Sequence, residues 1–290
     1  MPRKITQEMI EAYDEYTHLT LDRRRFMARL TRLAGSGAAA AAIAPMLASN
    51  YARADTVPAD DPRLTLEEVT FPGPEGDVRG YLAMPADAEG KLPAVIVIHE
   101  NRGLNPHIKD VTRRMALEGF VALAVDLLSR QGGTPPSDEE AAAMFQGIDR
   151  GALVGDAVAA IPYLQGRPET NGKVGAMGFC FGGGIVNGMA VQSPDLVAGV
   201  AYYGAQPAAE DVASIEAKLM LHYAGLDERI NAGIAEYEAA LKEAGVDYTI
   251  YVYEGVNHAF NNDTSEARYD ADAAALAWSR TVDFLKEALT

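Results

Sequence analysis

The single cysteine of the chain, Cys180, lies in Val174-Gly175-Ala176-Met177-Gly178-Phe179-Cys180-Phe181-Gly182-Gly183-Gly184, where an apolar run enters a glycine-dense turn. G-x-C-x-G is the spacing of a nucleophile elbow, which carries the nucleophile on a sharp strand-to-helix turn. The positions two before and two after it must lack side chains so that the backbone can pass closely, and Gly178 and Gly182 hold them. Such a turn aims the Phe181 amide and the positive end of the next helix at the sulfur, favouring a thiolate and a developing oxyanion. Two other readings stay open for these residues. The thiol could be a buried, inert filler. The glycines could form a phosphate-binding turn, although the G-x-G-x-x-G spacing and an acidic residue closing the next strand are missing. A lone cysteine excludes an internal disulfide, a CxxC zinc site and an iron-sulfur cluster.

An activated thiol needs a base and a group to orient it, and on an elbow architecture these follow in the chain order nucleophile, acid, histidine. Asp227 in Gly225-Leu226-Asp227 and His258 in Asn257-His258-Ala259-Phe260 each follow an apolar strand in that order. Asp227, with Glu228 as its rival, would fix the imidazole tautomer, and His258 would carry the proton between thiol and leaving group. The other histidines have ordinary readings: His18 in the N-terminal segment, His99 and His222 in apolar strands, His107 at a helix start. The loop His99-Glu100-Asn101-Arg102-Gly103-Leu104-Asn105 is where the second oxyanion amide is expected, from Asn101, beside the Phe181 amide. Glu100 either pairs with Arg102 at the surface or controls the thiol proton. Arg102, Arg130 and Tyr203 lie near strand ends and are candidates to contact substrate, although an arginine such as Arg130 is commonly just solvated.

These side chains have to be positioned by alternating strands and helices. Near-continuous apolar runs at 93–99, 121–125, 174–177, 197–203, 218–223 and 248–253 predict buried strands, after an antiparallel pair at 67–71 and 78–84. Helices are expected near 108–118, 138–164, 183–191, 232–244 and 265–289. This predicts an α/β fold with one doubly wound, mostly parallel sheet flanked by helices.

At 290 residues, 48% hydrophobic and 23% charged, the composition is that of a globular chain. A net charge of -16 offers no footprint for nucleic acid or an anionic membrane surface, so neither nucleic acid nor stable membrane insertion of the mature domain is expected. The charge is unevenly divided. Residues 1–54 hold 8 of the 25 basic and 5 of the 41 acidic residues, which leaves 17 against 36 in the remainder. Asp22-Arg23-Arg24-Arg25-Phe26-Met27, a weak apolar stretch from Leu33 to Leu47, and Ala52-Arg53-Ala54 follow the layout of a twin-arginine signal cut after Ala54. That places the mature domain in the periplasm or outside the cell, reached through the twin-arginine machinery. Uncut, the chain would stay cytoplasmic, and the bland alternative is an ordinary basic, alanine-faced helix. Residues 55–65 then form a linker and 66–290 the catalytic domain.

With these positions assembled, the chain resembles the dienelactone hydrolase family of α/β-hydrolases over nearly all of residues 66–288. The marks are Gly178-Phe179-Cys180-Phe181-Gly182-Gly183 after Asn171-Gly172-Lys173-Val174-Gly175, the loop 99–105, Asp126-Leu127, Tyr202-Tyr203-Gly204 and Asn257-His258-Ala259-Phe260. The resemblance implies an α/β-hydrolase fold and carboxymethylenebutenolidase-like cleavage of a small-molecule ester or lactone. It also implies a Cys180, Asp227, His258 triad acting through a thioester, Glu100 controlling the thiol, and an oxyanion hole from Asn101 and Phe181, without metal or organic cofactor. The leader resembles that of an exported branch. One departure stands out. Dienelactone-cleaving members hold the substrate carboxylate with two arginines, one in the helix after the Asp126 strand and one just after the catalytic histidine. Here those regions read Asp138-Glu139-Glu140 and Asn261-Asn262-Asp263, an acidic rim. Two other function classes fit the same residues: a thiol redox sensor, since a low-pKa exposed cysteine oxidises readily, and a noncatalytic binding module.

Overall fold

Predominantly apolar runs, with their polar residues at the strand ends apart from the buried His222, form the middle of the sheet, because a strand covered on both faces has no solvent side. They are β3 (Leu92–Ile98), β4 (Val121–Asp126), β5 (Thr170–Phe179), β6 (Ala198–Tyr202) and β7 (Lys218–Ala224). The hairpin β1 (Leu64–Gly73) and β2 (Gly76–Pro85) precedes them, and β8 (Tyr248–Tyr253) closes the far edge. The order is β1-β2-β4-β3-β5-β6-β7-β8, with the β1–β2 and β2–β4 pairings antiparallel and the rest parallel. This computed structural model describes residues 5–18, 21–54 and 56–290.

One face of the sheet packs against α4 (Pro106–Leu117) and α11 (Ala271–Leu289). The other packs against α6 (Arg150–Val158), α7 (Ala160–Gln165), α8 (Phe181–Gln192) and α10 (Ile234–Ala244). The single helix expected over 138–164 is in fact three. A short α5 (Asp138–Met144) ends before Gly147, whose φ of 84° breaks the helix; Asp149 then caps α6, accepting from the Ala152 amide at 2.9 Å. The helix expected from 265 starts only at Ala271, with Asp270 capping α11 by accepting from the Ala273 amide. A four-residue α9 (Glu228–Asn231) also precedes α10.

The basic N-terminal segment is not detached from the domain. It folds as α1 (Gln7–Thr17), α2 (Arg23–Ala34) and α3 (Gly37–Leu47). Asp22 caps α2 and Ser36 caps α3, with Gly35 between them at a φ of 76°. Met9, Tyr13, Phe26, Leu30, Ile43 and Leu47 close a small core of their own. No single described helix is long and apolar enough to cross a membrane, and α2 and α3 meet at 112°. Toward the domain the contacts are mainly polar: Tyr51 Oη donates to Asp138, Arg23 and Tyr16 reach Glu139, and Gln7 reaches Asn257. The acidic rim at 138–140 is thus where the basic cap docks.

Candidate active site

The elbow has the backbone its glycines require. Cys180 sits at φ 56° and ψ −115°, the left-handed side of conformational space that an L-residue enters only under constraint. The constraint is close packing: a Cβ on Gly178 would fall on the backbone of Gly182, and one on Gly182 on the carbonyls of Ile98 and His99. The Cys180 amide donates to the Tyr202 carbonyl at 2.9 Å, tying the turn to β6. Among the described residues the Asn101 and Phe181 amides have no hydrogen-bond acceptor, and both residues line one chamber with Cys180.

Asp227 begins α9, where its Oδ1 caps the Ile230 amide and its Oδ2 accepts from His258 Nδ1 at 2.5 Å. Glu228 lies one position on, on the exposed side, so of the two candidate acids only Asp227 meets the imidazole. Ala259, at φ 64°, turns the chain just after His258. Tyr203, also at positive φ and buried, lies with its ring centroid 4.8 Å from that of His258. His99, His107 and His222 are buried elsewhere in the packing; His222, for example, bonds Thr281 and Tyr253 and is held down to about 3 by burial and by Arg280.

His18 is the correction. Its ordinary reading fails, because the end of α1 brings His18 Nε2 within 3.3 Å of Cys180 Sγ and sets its ring edge-on to His258 at 4.7 Å. His18 Nδ1 bonds the Asp14 carbonyl at 2.7 Å, and an Arg229 guanidinium nitrogen approaches Nε2 at 2.9 Å. Burial alone would push the Cys180 thiol up, but His258 and then His18 outweigh it and bring it down to about 6. Burial likewise works against a charged His258, yet the thiolate, Asp14 and Asp227 hold it well above the usual imidazole range. Both shifts favour the charged thiolate–imidazolium form of this pair over the neutral one.

Glu100 is buried, not a surface partner of Arg102: its Oε2 accepts from Asn262 Nδ2 at 2.9 Å. Glu100, Asn101 and Arg102 share a small cavity with Cys180 and His258 under the cap, and Asn101 Nδ2 donates to the Thr17 carbonyl at 2.7 Å. Arg130 does not reach the site. Asp156 of α6 holds it at 2.8 Å, with Glu75 and the Ala152 carbonyl beside it, because the turn after β4 points it outward toward that helix. A chamber of about 290 Å³ opens on the other side of Cys180, lined in part by Phe145, Phe181, Tyr203, Arg150 and Arg229. These two arginines were not anticipated. Arg150 opens α6 and Arg229 lies inside α9, and nothing in their spacing relates them to Cys180.

The dienelactone hydrolase family profile matches residues 78–289, which is most of the chain. The chain belongs to the dienelactone hydrolase family. A candidate carboxymethylenebutenolidase of Synechocystis sp. is 35% identical over 230 residues, covering 73% of this chain and 92% of that one. The hydrolase fragment YghX of Escherichia coli, itself a provisional assignment, is 49% identical over 112 residues, 38% of this chain and 96% of the fragment. Among solved structures, the dienelactone hydrolase-like promiscuous phosphotriesterase P91 from metagenomic libraries superposes with a TM-score of 0.71 at 26% identity, over 79% of this chain and all of that one. Membership makes this α/β-hydrolase-fold chain a hydrolase of carboxymethylenebutenolidase-like type.

Proposed function

We propose that this family member cleaves a carboxylic ester or lactone with Cys180 as nucleophile, His258 as acid–base and Asp227 as the group that orients it. The observation carrying the reading is the elbow cysteine at positive φ with the Asp227–His258 bond behind it. The thiolate attacks the acyl carbonyl, and the oxyanion rests on the Asn101 and Phe181 amides. Collapse of the adduct expels the alkoxide, which takes the His258 proton and leaves a thioester on Cys180. His258 then takes a proton from water, whose hydroxide attacks the thioester and frees the acid and the thiolate. No step needs a metal. A thiolate leaves a tetrahedral amide adduct more readily than an amine does, which disfavours peptidase chemistry.

Arg150 and Arg229 in the chamber beside Cys180 favour an acyl group that carries a carboxylate, since guanidinium pairs with it bidentately. The test is a panel of activated esters, enol lactones and lactone acids on wild type and Cys180→Ala. Turnover should vanish in the variant, and undiminished hydrolysis there would overturn the assignment. We also propose export through the twin-arginine route with cleavage after Ala54. That residue is fully buried, so a peptidase would have to act after the cap undocks. Mass spectrometry of the secreted protein's N-terminus checks this.

A further inference from the structure

Three electron-pair donors converge where the cap meets the elbow. His18, Cys180 and His258 each place one ligand atom within 4.8 Å of the other two, and His18 Nε2 lies 3.3 Å from Sγ. Both rings are oriented from behind. Asp227 holds His258 Nδ1, and His18 Nδ1 donates to the Asp14 carbonyl, an oxygen that can only accept. Once the proton shared by Cys180 and His258 is given up, both Nε2 atoms present lone pairs toward the sulfur. The one proton shared by thiol and imidazole cannot serve both nitrogens, and His258 Nε2, in a side chain 4% exposed, is buried with no hydrogen-bond partner among the described residues.

We propose that, in the chain before any cut after Ala54, His18, Cys180 and His258 form a binding site for a thiophilic divalent cation such as Zn²⁺, which shuts off Cys180 and pins the cap in place. Tetrahedral zinc takes thiolate sulfur at about 2.3 Å and imidazole nitrogen at about 2.0–2.1 Å, which puts its donor atoms about 3.5 Å apart. The His18–Cys180 separation is already near that value, and a small rotation of the rings closes the remainder. An acceptor behind each ligating imidazole, here Asp227 and the Asp14 carbonyl, is the second-layer arrangement that fixes the metal-facing nitrogen. Binding makes one metal–sulfur and two metal–nitrogen bonds, releases the proton shared by thiol and imidazole, and leaves the fourth position to water. No electron is transferred.

The surrounding charge is mixed. Asp14, Asp227 and Glu100 favour a cation here, whereas Arg268, Arg102 and Arg229 oppose it. Arg229 is the direct competitor, since it donates to the lone pair the metal needs. It is exposed and can swing away. The site is inhibitory, because the metal occupies both the thiolate and the base. Binding rests on the donor geometry alone, whereas its inhibitory effect rests on the proposed roles of Cys180 and His258.

The test uses the full chain and Co²⁺ as probe. One Co²⁺ per chain should give a near-ultraviolet thiolate-to-cobalt charge-transfer band, displaced by Zn²⁺, and Zn²⁺ should protect Cys180 from iodoacetamide until a chelator is added. His18→Ala and His18→Gln should each weaken binding by about tenfold or more. The glutamine keeps the side chain's bulk and its ability to accept from Arg229, which separates loss of a ligand from loss of the cap. Arg229→Ala should tighten binding. Absence of the band in wild type, or wild-type binding by His18→Gln, overturns the proposal. The spectrum is read without turnover, so its failure is distinct from a failure of Cys180→Ala to abolish ester hydrolysis.

Discussion

His18 Nε2 lies 3.3 Å from Cys180 Sγ although 162 positions separate the two residues. The contact exists because α1 ends at Thr17 against the Asn101 side chain, so the next residue drops into the space above the elbow. An imidazole delivered by the cap and one delivered by the loop after β8 therefore face one sulfur. The cap thus covers one side of Cys180, and its histidine helps to lower the thiol pKa.

The first consequence is a pH dependence. A thiol lowered to about 6 is ionised above that pH and loses its reactive form as pH falls through it. Alkylation of this sole cysteine by iodoacetamide should be half-maximal near pH 6 and fall about tenfold per pH unit below. In His258→Ala the largest opposing charge is gone while burial remains, so the midpoint should move up. A wild-type midpoint above pH 8 would refute the thiolate–imidazolium pair.

Asp227→Asn separates charge from shape. The amide can still accept from the Ile230 amide and cap α9, so the fold should be kept and any fall in melting temperature reports the lost charge pair. It can no longer stabilise the imidazolium, and kcat/KM on an activated ester should fall by about 10³–10⁴. Glu228→Gln, on the neighbouring exposed residue, should change the rate by less than about threefold. Equal losses in the two variants would remove Asp227 from the mechanism.

The parts of the site that local sequence reveals are those built by local geometry. Gly178 and Gly182 flank Cys180 because backbone contact demands it, and Asp227 follows the buried β7; β8, before His258, is also expected to be buried but is the half-exposed edge strand, its tyrosines and valine being apolar enough to read as core. The β3 to β7 core was legible for the same reason. His18 was not, because an Asp-Arg-Arg-Arg segment carries the charge pattern of a leader whether or not it folds back. Nor was Arg130, whose position after a strand resembles a ligand's while Asp156 on α6 turns it away. The break in the 138–164 helix rests on the positive φ of Gly147, a residue that is also tolerated inside helices.

Gly182→Ala tests the elbow as a packing device. The added methyl meets the carbonyl oxygen of Ile98, the last residue of β3, and that of His99 just beyond it, backbone atoms that cannot yield as a flexible side chain would. The variant should lose about 3 kcal/mol in chemical denaturation. Gly172→Ala, at a positive φ but with open space around it, should lose only about 1 kcal/mol. If the two losses were equal, backbone conformation and not close approach would govern the elbow.

The cap should open more readily when its polar anchors are cut, and Cys180 reports the opening. Arg23 and Glu139 form an exposed ion pair, worth about 0.5 kcal/mol, so Arg23→Ala should speed alkylation only about twofold. Tyr51 does more. Its hydroxyl donates to Asp138 at 2.9 Å and accepts from Asn105 Nδ2 at 3.0 Å, in a partly buried setting where burial already raises the Asp138 pKa. Tyr51→Phe leaves that carboxylate and the Asn105 amide without their partner in the closed state, while both find water in the open one. The closed state should lose about 1–2 kcal/mol, accelerating alkylation by about five- to thirtyfold at fixed pH. Rates unchanged in Tyr51→Phe would mean that reagent reaches the thiol without the cap moving, and that the segment over the elbow is no barrier to substrate.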